Sequence, residues 1–544
     1  MHSTLTIAQR LGLQPVDTPR KPSINVKTPS ITALASAILT NIPTHTILRQ
    51  GEAFLTVTRA TTADKLGHFP PITRPITANR LRSLLEQWVH FADGAGDDAR
   101  PTALSKQTAE AILASDTFYT RSAELDLIAE VRLPIWGEPV DGHRTISLSP
   151  AGYNPSNRTL TVETLDYTSN FTQLTPEQIR ATFDAIFRHF PWAPEHEYET
   201  RTMWRVNATT YHTGPQPSTN RSASTLLALM LGQYCRLMIG RLPMAIINGN
   251  QPGTGKSLLA WFLIAPVWGM AATAAKPASE EELIKYLNTV TQAHKPFALL
   301  DDIATLASNA INMFATAPLI EGRKMGTDTL FTVTNRTQII TTGNALTTTP
   351  DVERRSMIVD LFFDEAATER PIPTPLEPSD LATASMRCDL LQLLWSLVKN
   401  WADAGCPSLL NGTTSKASYE SYAETVGSIL LHNGFANPFK KRVIDYGGGD
   451  MRGRALEALL RQLADATLPE TSRTFDLKEI VAAAENAGYL EILAPGKDPR
   501  KSLGRQLSRL RHRKYRNSAG RPFIFGADKD SYSSKYTFTY NLNI

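Results

Sequence analysis

The sequence predicts an α/β protein: a parallel sheet flanked by helices, preceded by small α+β modules and followed by a domain of helices and a strand pair. Three observations predict it. Strand-like and helix-like stretches alternate across residues 215–365. Residues 250–257, Asn-Gln-Pro-Gly-Thr-Gly-Lys-Ser, form a glycine-rich turn between the apolar run 244–247 and the helical run 258–264. Two more apolar runs, 297–300 and 338–342, end in polar residues, Asp301-Asp302 and Gly343-Asn344.

Size and composition bound the rest. A chain of 544 residues is too long for one core and implies several domains. With 42% hydrophobic and 20% charged residues it reads as an ordinary soluble globular protein. Its net charge of +4 is small, so any basic surface must be local. Cys235, Cys388 and Cys406 have no ligand-like spacing, which predicts reduced thiols rather than a zinc site or disulfides. No charged segment followed by an apolar one opens the chain, so a cytoplasmic protein is expected. Residues 257–275 lack charge over nearly a membrane-spanning length. They begin inside the glycine-rich turn and contain Pro266 and Gly269, so a buried helix and strand are expected, and no membrane.

Taken in order, residues 1–30 carry Pro15, Pro19, Pro22 and Pro29 and read as a flexible arm. Residues 31–100 read as a small α+β module, with helices over 33–39 and 81–91 around a strand at 53–58. A turn-rich stretch closes it, with Asp93, Asp97 and Asp98 in a solvated loop. A second module, 101–214, has a helix at 106–115, Gly/Pro-punctuated strands over 131–164 and a helix at 176–190. Residues 215–405 hold the parallel sheet and a helix over 384–404; 406–449 read as a helical linker or lid with a helix at 419–432. Residues 450–544 form a C-terminal domain.

The turn at 250–257 has the requirements of a phosphate-binding loop. A strand delivers it, glycines let the backbone curl around phosphates, and a helix N-terminus points unpaired N–H groups at them. Asn250, Gln251, Pro252, Gly253, Thr254, Gly255, Lys256, Ser257 and Leu258 are therefore the candidate nucleotide-binding residues, with ATP as ligand. Lys256 suits the β- and γ-phosphates, and the Ser257 hydroxyl suits Mg²⁺. Asn250 stands where the pattern begins with glycine, and Gly249 sits one place too early; asparagine tolerates left-handed backbone better than most residues.

Asp301 and Asp302 end an apolar strand 45 residues after Lys256. The first suits Mg²⁺; the second suits orienting or deprotonating an attacking water. Asn344 closes the next apolar strand and suits sensing the γ-phosphate or that water. Arg354 and Arg355 follow, suited to stabilising charge on a transferring phosphate, with Arg355 preferred and action on a neighbouring subunit's ATP expected in a ring. Between these elements, residues 329–334, a turn at Asn335-Arg336 and the strand at 338 read as a β-hairpin. Arg323, Lys324 and Arg336 would place positive charge there for a nucleic-acid backbone, or serve as ordinary surface charge.

Residues 497–521 contain ten Lys or Arg and one acid, Asp498. Over 502–511, Leu503, Leu507 and Leu510 share one helical face, with Arg505, Arg509 and Arg511 largely elsewhere. A helix at 477–487, this basic helix and strands at 522–525 and 536–540 suggest a winged helix, and its charge density suits DNA phosphates. Arg505, Arg509, Arg511, Arg513 and Lys514 are the candidate contacts.

With these residues in place the chain resembles a family of replication ATPases from prophages, plasmids and genomic islands, of the AAA+ class and similar to superfamily 3 and minichromosome-maintenance helicases. The resemblance runs through Pro-Ile-Trp and the Gly152-Tyr153-Asn154-Pro155 turn, and through Thr341-Gly343-Asn344 with Asp351, Arg354 and Arg355. It continues over Leu390, Trp395, Leu397, Trp401 and Gly405, and over 418–435. It implies an AAA+ P-loop ATPase core with a winged-helix-like C-terminal domain. The implied activity is that of an ATP-dependent DNA helicase or translocase, a homo-hexameric ring acting on single-stranded or forked DNA with replication partner proteins. The alternative is a nucleotide-switched loader or initiator, or a mobile-element defence or transposition ATPase, that binds or remodels DNA without unwinding it.

Overall fold

The computed structural model describes residues 21–540 except 29, 64–68, 95–98, 141–143, 194–215, 270–276, 278, 324–329, 364–375, 382, 411–417, 441–450, 469–471, 495–497, 509–512, 518–520 and 530–533. It is a mixed α/β structure with parallel and antiparallel sheets.

In the N-terminal region, helices Ile31–Asn41, Ala78–Leu85, Lys106–Leu113 and Asp116–Arg121 each start at a Ser or Thr whose hydroxyl accepts a backbone N–H of the first turn. They share a core of Leu34, Ile38, Leu81, Phe91, Ile112 and Phe118. Two expectations are corrected here. The helix expected over 81–91 ends at Leu85, and His90–Asp93 is a strand, because Val89 and Phe91 are buried on either side of exposed His90, a period of two. Part of the expected arm is structured as well: Ser23–Asn25 pairs in parallel with His90–Asp93 and buries Ile24. Of the expected acidic loop, Asp93 pairs with Lys27 at 2.9 Å, while Asp97 and Asp98 lie outside the described residues.

The central sheet has the order Phe297–Leu300, Gln338–Asn344, Met244–Gly249, Ser356–Leu361, with every neighbouring pair parallel. Its strands are almost wholly buried, as a parallel sheet covered on both faces requires. Helices Arg221–Tyr234, Lys256–Trp268, Ala384–Asp403 and Glu420–His432 form one cluster of buried residues with it. That cluster extends without a break to Leu127, Val131 and Leu133 and to Phe183 and Phe187 of helix Pro176–Phe187. A buried ion pair, Arg387 to Glu130 at 3.5 Å, ties the two regions across 257 residues of sequence. The second half of the expected buried helix–strand unit, 270–275, lies outside the described residues.

The hairpin exists with a different partner. Leu330–Thr334 pairs antiparallel with Leu319–Arg323, not with the strand after it. Gln338–Asn344 already has a parallel neighbour on each side. The Asn335 amide, expected to turn the hairpin, instead donates to the carbonyls of Phe314 (2.7 Å) and Ala317 (3.1 Å), closing the helix Asn309–Thr316.

The C-terminal region runs helix Met451–Asp465, strand Ser472–Asp476, helices Leu477–Asn486, Leu490–Leu493 and Pro499–Ser508, then strands Arg513–Arg516, Pro522–Lys529 and Ser534–Tyr540. The four strands are antiparallel, with Arg513–Arg516 at one edge. It has its own core, including Leu459, Ile480, Leu503, Leu507, Phe523 and Phe538. In the basic stretch the helix expected over 502–511 runs over Pro499–Ser508, residues 509–512 lie outside the described residues, and Arg513–Arg516 is an edge strand.

Candidate functional site

Parallel pairing aligns Gly249 with Asn344 on one side and Leu361 on the other, so three strand ends meet at one edge of the sheet. The glycine-rich loop expected to bind phosphate leaves the first of these ends. Gly253 (φ 80°) and Gly255 (φ 95°) take left-handed backbone that side-chain-bearing residues resist, and helix Lys256–Trp268 starts directly after them. No side chain caps this terminus, which leaves its first N–H groups for a ligand. A Cβ on Gly249 would lie 2.6 Å from the Thr254 hydroxyl, so the loop folds back closely on its strand.

Asn250 departs from the expectation of left-handed backbone: among the described residues with positive φ, the loop contributes only the two glycines. Its carboxamide instead grips the backbone of Phe363, Nδ2 donating to the carbonyl at 2.7 Å and Oδ1 accepting the N–H at 3.1 Å. Gln251 Nε2 donates to the same carbonyl at 2.7 Å. The Lys256 ammonium folds over the loop, donating to the Gln251 carbonyl (3.0 Å) and the Thr254 hydroxyl (3.2 Å). Burial pushes the Lys256 pKa down, while the carboxylates of Asp302 and Asp301 pull it up. Pro252 is exposed, and Leu258 packs against the core.

Ser257, Asp301, Asp302 and Asn344 lie together. Ser257 Oγ donates to Asp301 Oδ1 at 3.1 Å, joining the two residues expected to hold Mg²⁺. Asp301 also accepts the Thr342 hydroxyl, and Thr342 in turn accepts the Asp302 N–H at 3.1 Å. That brace holds Asp302 in left-handed backbone (φ 55°), which turns its carboxylate to Asn344, whose Nδ2 donates at 3.1 Å. Asn344 Oδ1 is buried with no partner among the described residues, an acceptor open to a ligand or water proton. Gly343 is required here because a Cβ would meet the Ile303 carbonyl at 2.3 Å. Asn248 contributes by accepting the Leu346 N–H at 2.9 Å, which shapes the turn after the sensor.

Thr342, Asn248 and Phe363 stand outside the residues expected from sequence, and Gly343 was expected only as part of the strand end. The Thr-Thr-Gly-Asn strand end was a visible signal for Thr342 and Gly343; nothing local marked the others.

The arginines lie elsewhere. Arg354 and Arg355 precede Ser356, which pairs with Met244, so they sit at the opposite end of the sheet from the loop. Six strand residues separate the two ends by about 20 Å, which no side chain in the same chain spans. Asp351 binds both, Arg354 at 3.1 Å and Arg355 more closely; these bonds, Arg355's first, hold the Asp351 carboxyl below its usual range. Arg355 is the more enclosed, with 14% of its side chain exposed against 45% for Arg354.

The residues expected to contact nucleic acid lie on separate elements. Arg323 is exposed at the end of its hairpin strand; Lys324, next to it, lies outside the described residues. Arg336 is off the hairpin, 3.6 Å from Asp126, and its carbonyl accepts buried Arg236. Arg505 lies on helix Pro499–Ser508 and Arg513 and Lys514 on the edge strand, while Arg509 and Arg511 lie outside the described residues.

Among the described residues no helix is long and apolar enough to cross a membrane. No family model matches the chain, and no curated protein matches it. Among solved structures it is similar to one described as the A form apo structure of the NrS-1 C-terminal region, over 79% of each chain at 12% identity and a TM-score of 0.33. Likeness at that level carries no functional argument.

Proposed function

We propose that this chain is an ATP-driven DNA motor of the AAA+ class, a helicase or translocase whose nucleotide sites are completed by neighbouring subunits in a ring. One observation carries the reading: Lys256, Ser257, Asp301, Asp302 and Asn344 converge at one edge of a parallel sheet, in contact or one residue apart. The residues fit MgATP. The loop offers backbone N–H groups and an ammonium for phosphate, and Ser257 and Asp301 form a ready oxygen pair for Mg²⁺, which would neutralise phosphate charge there. Lys256 would exchange its two loop contacts for phosphate oxygens. Asp302 and Asn344 would orient a water between them, with Asp302 as the acceptor of its proton.

The separation of Arg354 and Arg355 from their own loop supports a shared site, since charge stabilisation by either requires a second copy. DNA as the polymer rests on the basic edge strand and helix of the C-terminal region and on the resemblance to replication ATPases.

The test is ATP turnover with and without single-stranded DNA, followed by strand displacement on a forked duplex. Turnover stimulated by DNA and displacement are expected, and Lys256→Ala abolishes both. Tight DNA binding and turnover without displacement would replace the motor with a nucleotide-switched loader. Replacing Arg505, Arg509 and Arg513 together by Gln is expected to lower the slope of log affinity against log salt by up to about 3; an unchanged slope would remove this region from the DNA path.

A further inference from the structure

We propose that Asn250 is a positioning residue of the nucleotide site, a clasp that fixes the mouth of the phosphate loop to the strand leading back to the arginines. The inference rests on the ATPase reading and deepens it. The left-handed turns of the loop are made by Gly253 and Gly255, so the backbone does not require glycine at position 250. What Asn250 adds is a two-point amide-to-backbone pairing with Phe363, itself 2% exposed, and its own N–H donates to the Leu361 carbonyl at 3.3 Å. Gln251 closes on the Phe363 carbonyl as well, and the Gln251 carbonyl receives Lys256. A continuous set of hydrogen bonds thus runs from Phe363 through Asn250 and Gln251 to the ammonium that meets phosphate. Only residues 252–255 remain between this anchor and the start of the helix.

Glycine at 250 would remove both side-chain bonds and add backbone freedom to the ligand-free loop. The ordering that Asn250 supplies in advance would then fall to nucleotide binding. Ordering of the loop is completed when nucleotide binds, so the loss is expected to fall more on affinity than on turnover.

The experiment compares the full chain with Asn250→Ala and Asn250→Gly. Amide exchange without nucleotide is measured over 250–257 and around Phe363, together with equilibrium binding of a fluorescent ATP analogue and steady-state ATP hydrolysis. Both variants are expected to exchange faster in both segments and to bind the analogue and ATP about five- to tenfold more weakly, Gly more so than Ala, with KM raised by a larger factor than kcat is lowered. Unchanged exchange in both segments would overturn the clasp, as would wild-type affinity in Asn250→Gly. If the wild-type chain binds no nucleotide, the ATPase reading fails while the exchange arm still decides the clasp: faster exchange upholds it and unchanged exchange refutes it.

Discussion

Replacing Gly343 by Ala puts one methyl group between the sensor strand and the acidic turn. The φ of Gly343 is ordinary, so alanine meets no backbone penalty and the Cβ is the whole perturbation. It would lie 2.3 Å from the Ile303 carbonyl oxygen, and real contacts stop near 3.0 Å, so a shift of about 0.7 Å is required. The carbonyl cannot yield alone: Ile303 N–H donates to Thr342 O at 2.9 Å, and Asp302 N–H donates to the Thr342 hydroxyl. The shift therefore falls on the Asp302–Asn344 pair. Overpacking of this kind costs about 1–3 kcal/mol in stability, and a misplacement approaching 1 Å costs up to about 100-fold in rate. The loop is also braced through Phe363, so ATP affinity is expected to fall much less than kcat. The assay is a melting curve, nucleotide binding and kcat on the same preparation. A folded Gly343→Ala protein with wild-type kcat would refute the reasoning, as would lost affinity with kcat retained.

Three further outcomes are expected. Arg354→Ala, mixed with intact subunits, should depress the turnover of the mixture while leaving its own melting temperature nearly unchanged, because an exposed ion pair contributes little. Arg355→Ala should lower the melting temperature, because the more enclosed guanidinium leaves Asp351 with a weaker partner; the opposite pattern would assign the trans role to Arg355. Burial pushes the His294 pKa below 6.5, so the unfolded chain takes up the proton first. The stability this group contributes is present above about pH 6.5 and is lost as pH falls through its lower folded value. His294→Asn, which tolerates the same left-handed backbone (φ 50°), should flatten the pH dependence of the urea midpoint between pH 8 and 5; an unchanged slope would sink this assignment.

The parts of the site readable from sequence are those whose chemistry is local. A glycine-rich turn before a helix can bind phosphate wherever it occurs, so 250–258 were legible as a set. Asp301, Asp302 and Asn344 were legible because each ends an apolar run, and a buried strand must end in something that faces water. The hairpin was half legible: 329–334 alternates as a strand should, but its partner depends on which neighbours 338–344 has already taken in the sheet. The strand at 23–25 was hidden by the prolines that mark an arm in sequence, of which Pro22 directly precedes a short parallel pairing.

By itself, then, the sequence determined the glycine-rich loop before a helix, the order of the strands that end in Asp301-Asp302 and Asn344, and the concentration of positive charge near the C-terminus. Those features follow from spacing along the chain. The tertiary structure decided what depends on distance through space. It set Asn250 against Phe363, 113 residues away, and Thr342 against Asp301. It also put Arg354 and Arg355 at the far end of the sheet from the loop that precedes them by about 100 residues. Parallel strands bring every C-terminal end to one edge and every N-terminal end to the other. That rule gathers the glycine-rich loop, Asp301, Asp302 and Asn344 at one edge and leaves Arg354 and Arg355 at the other.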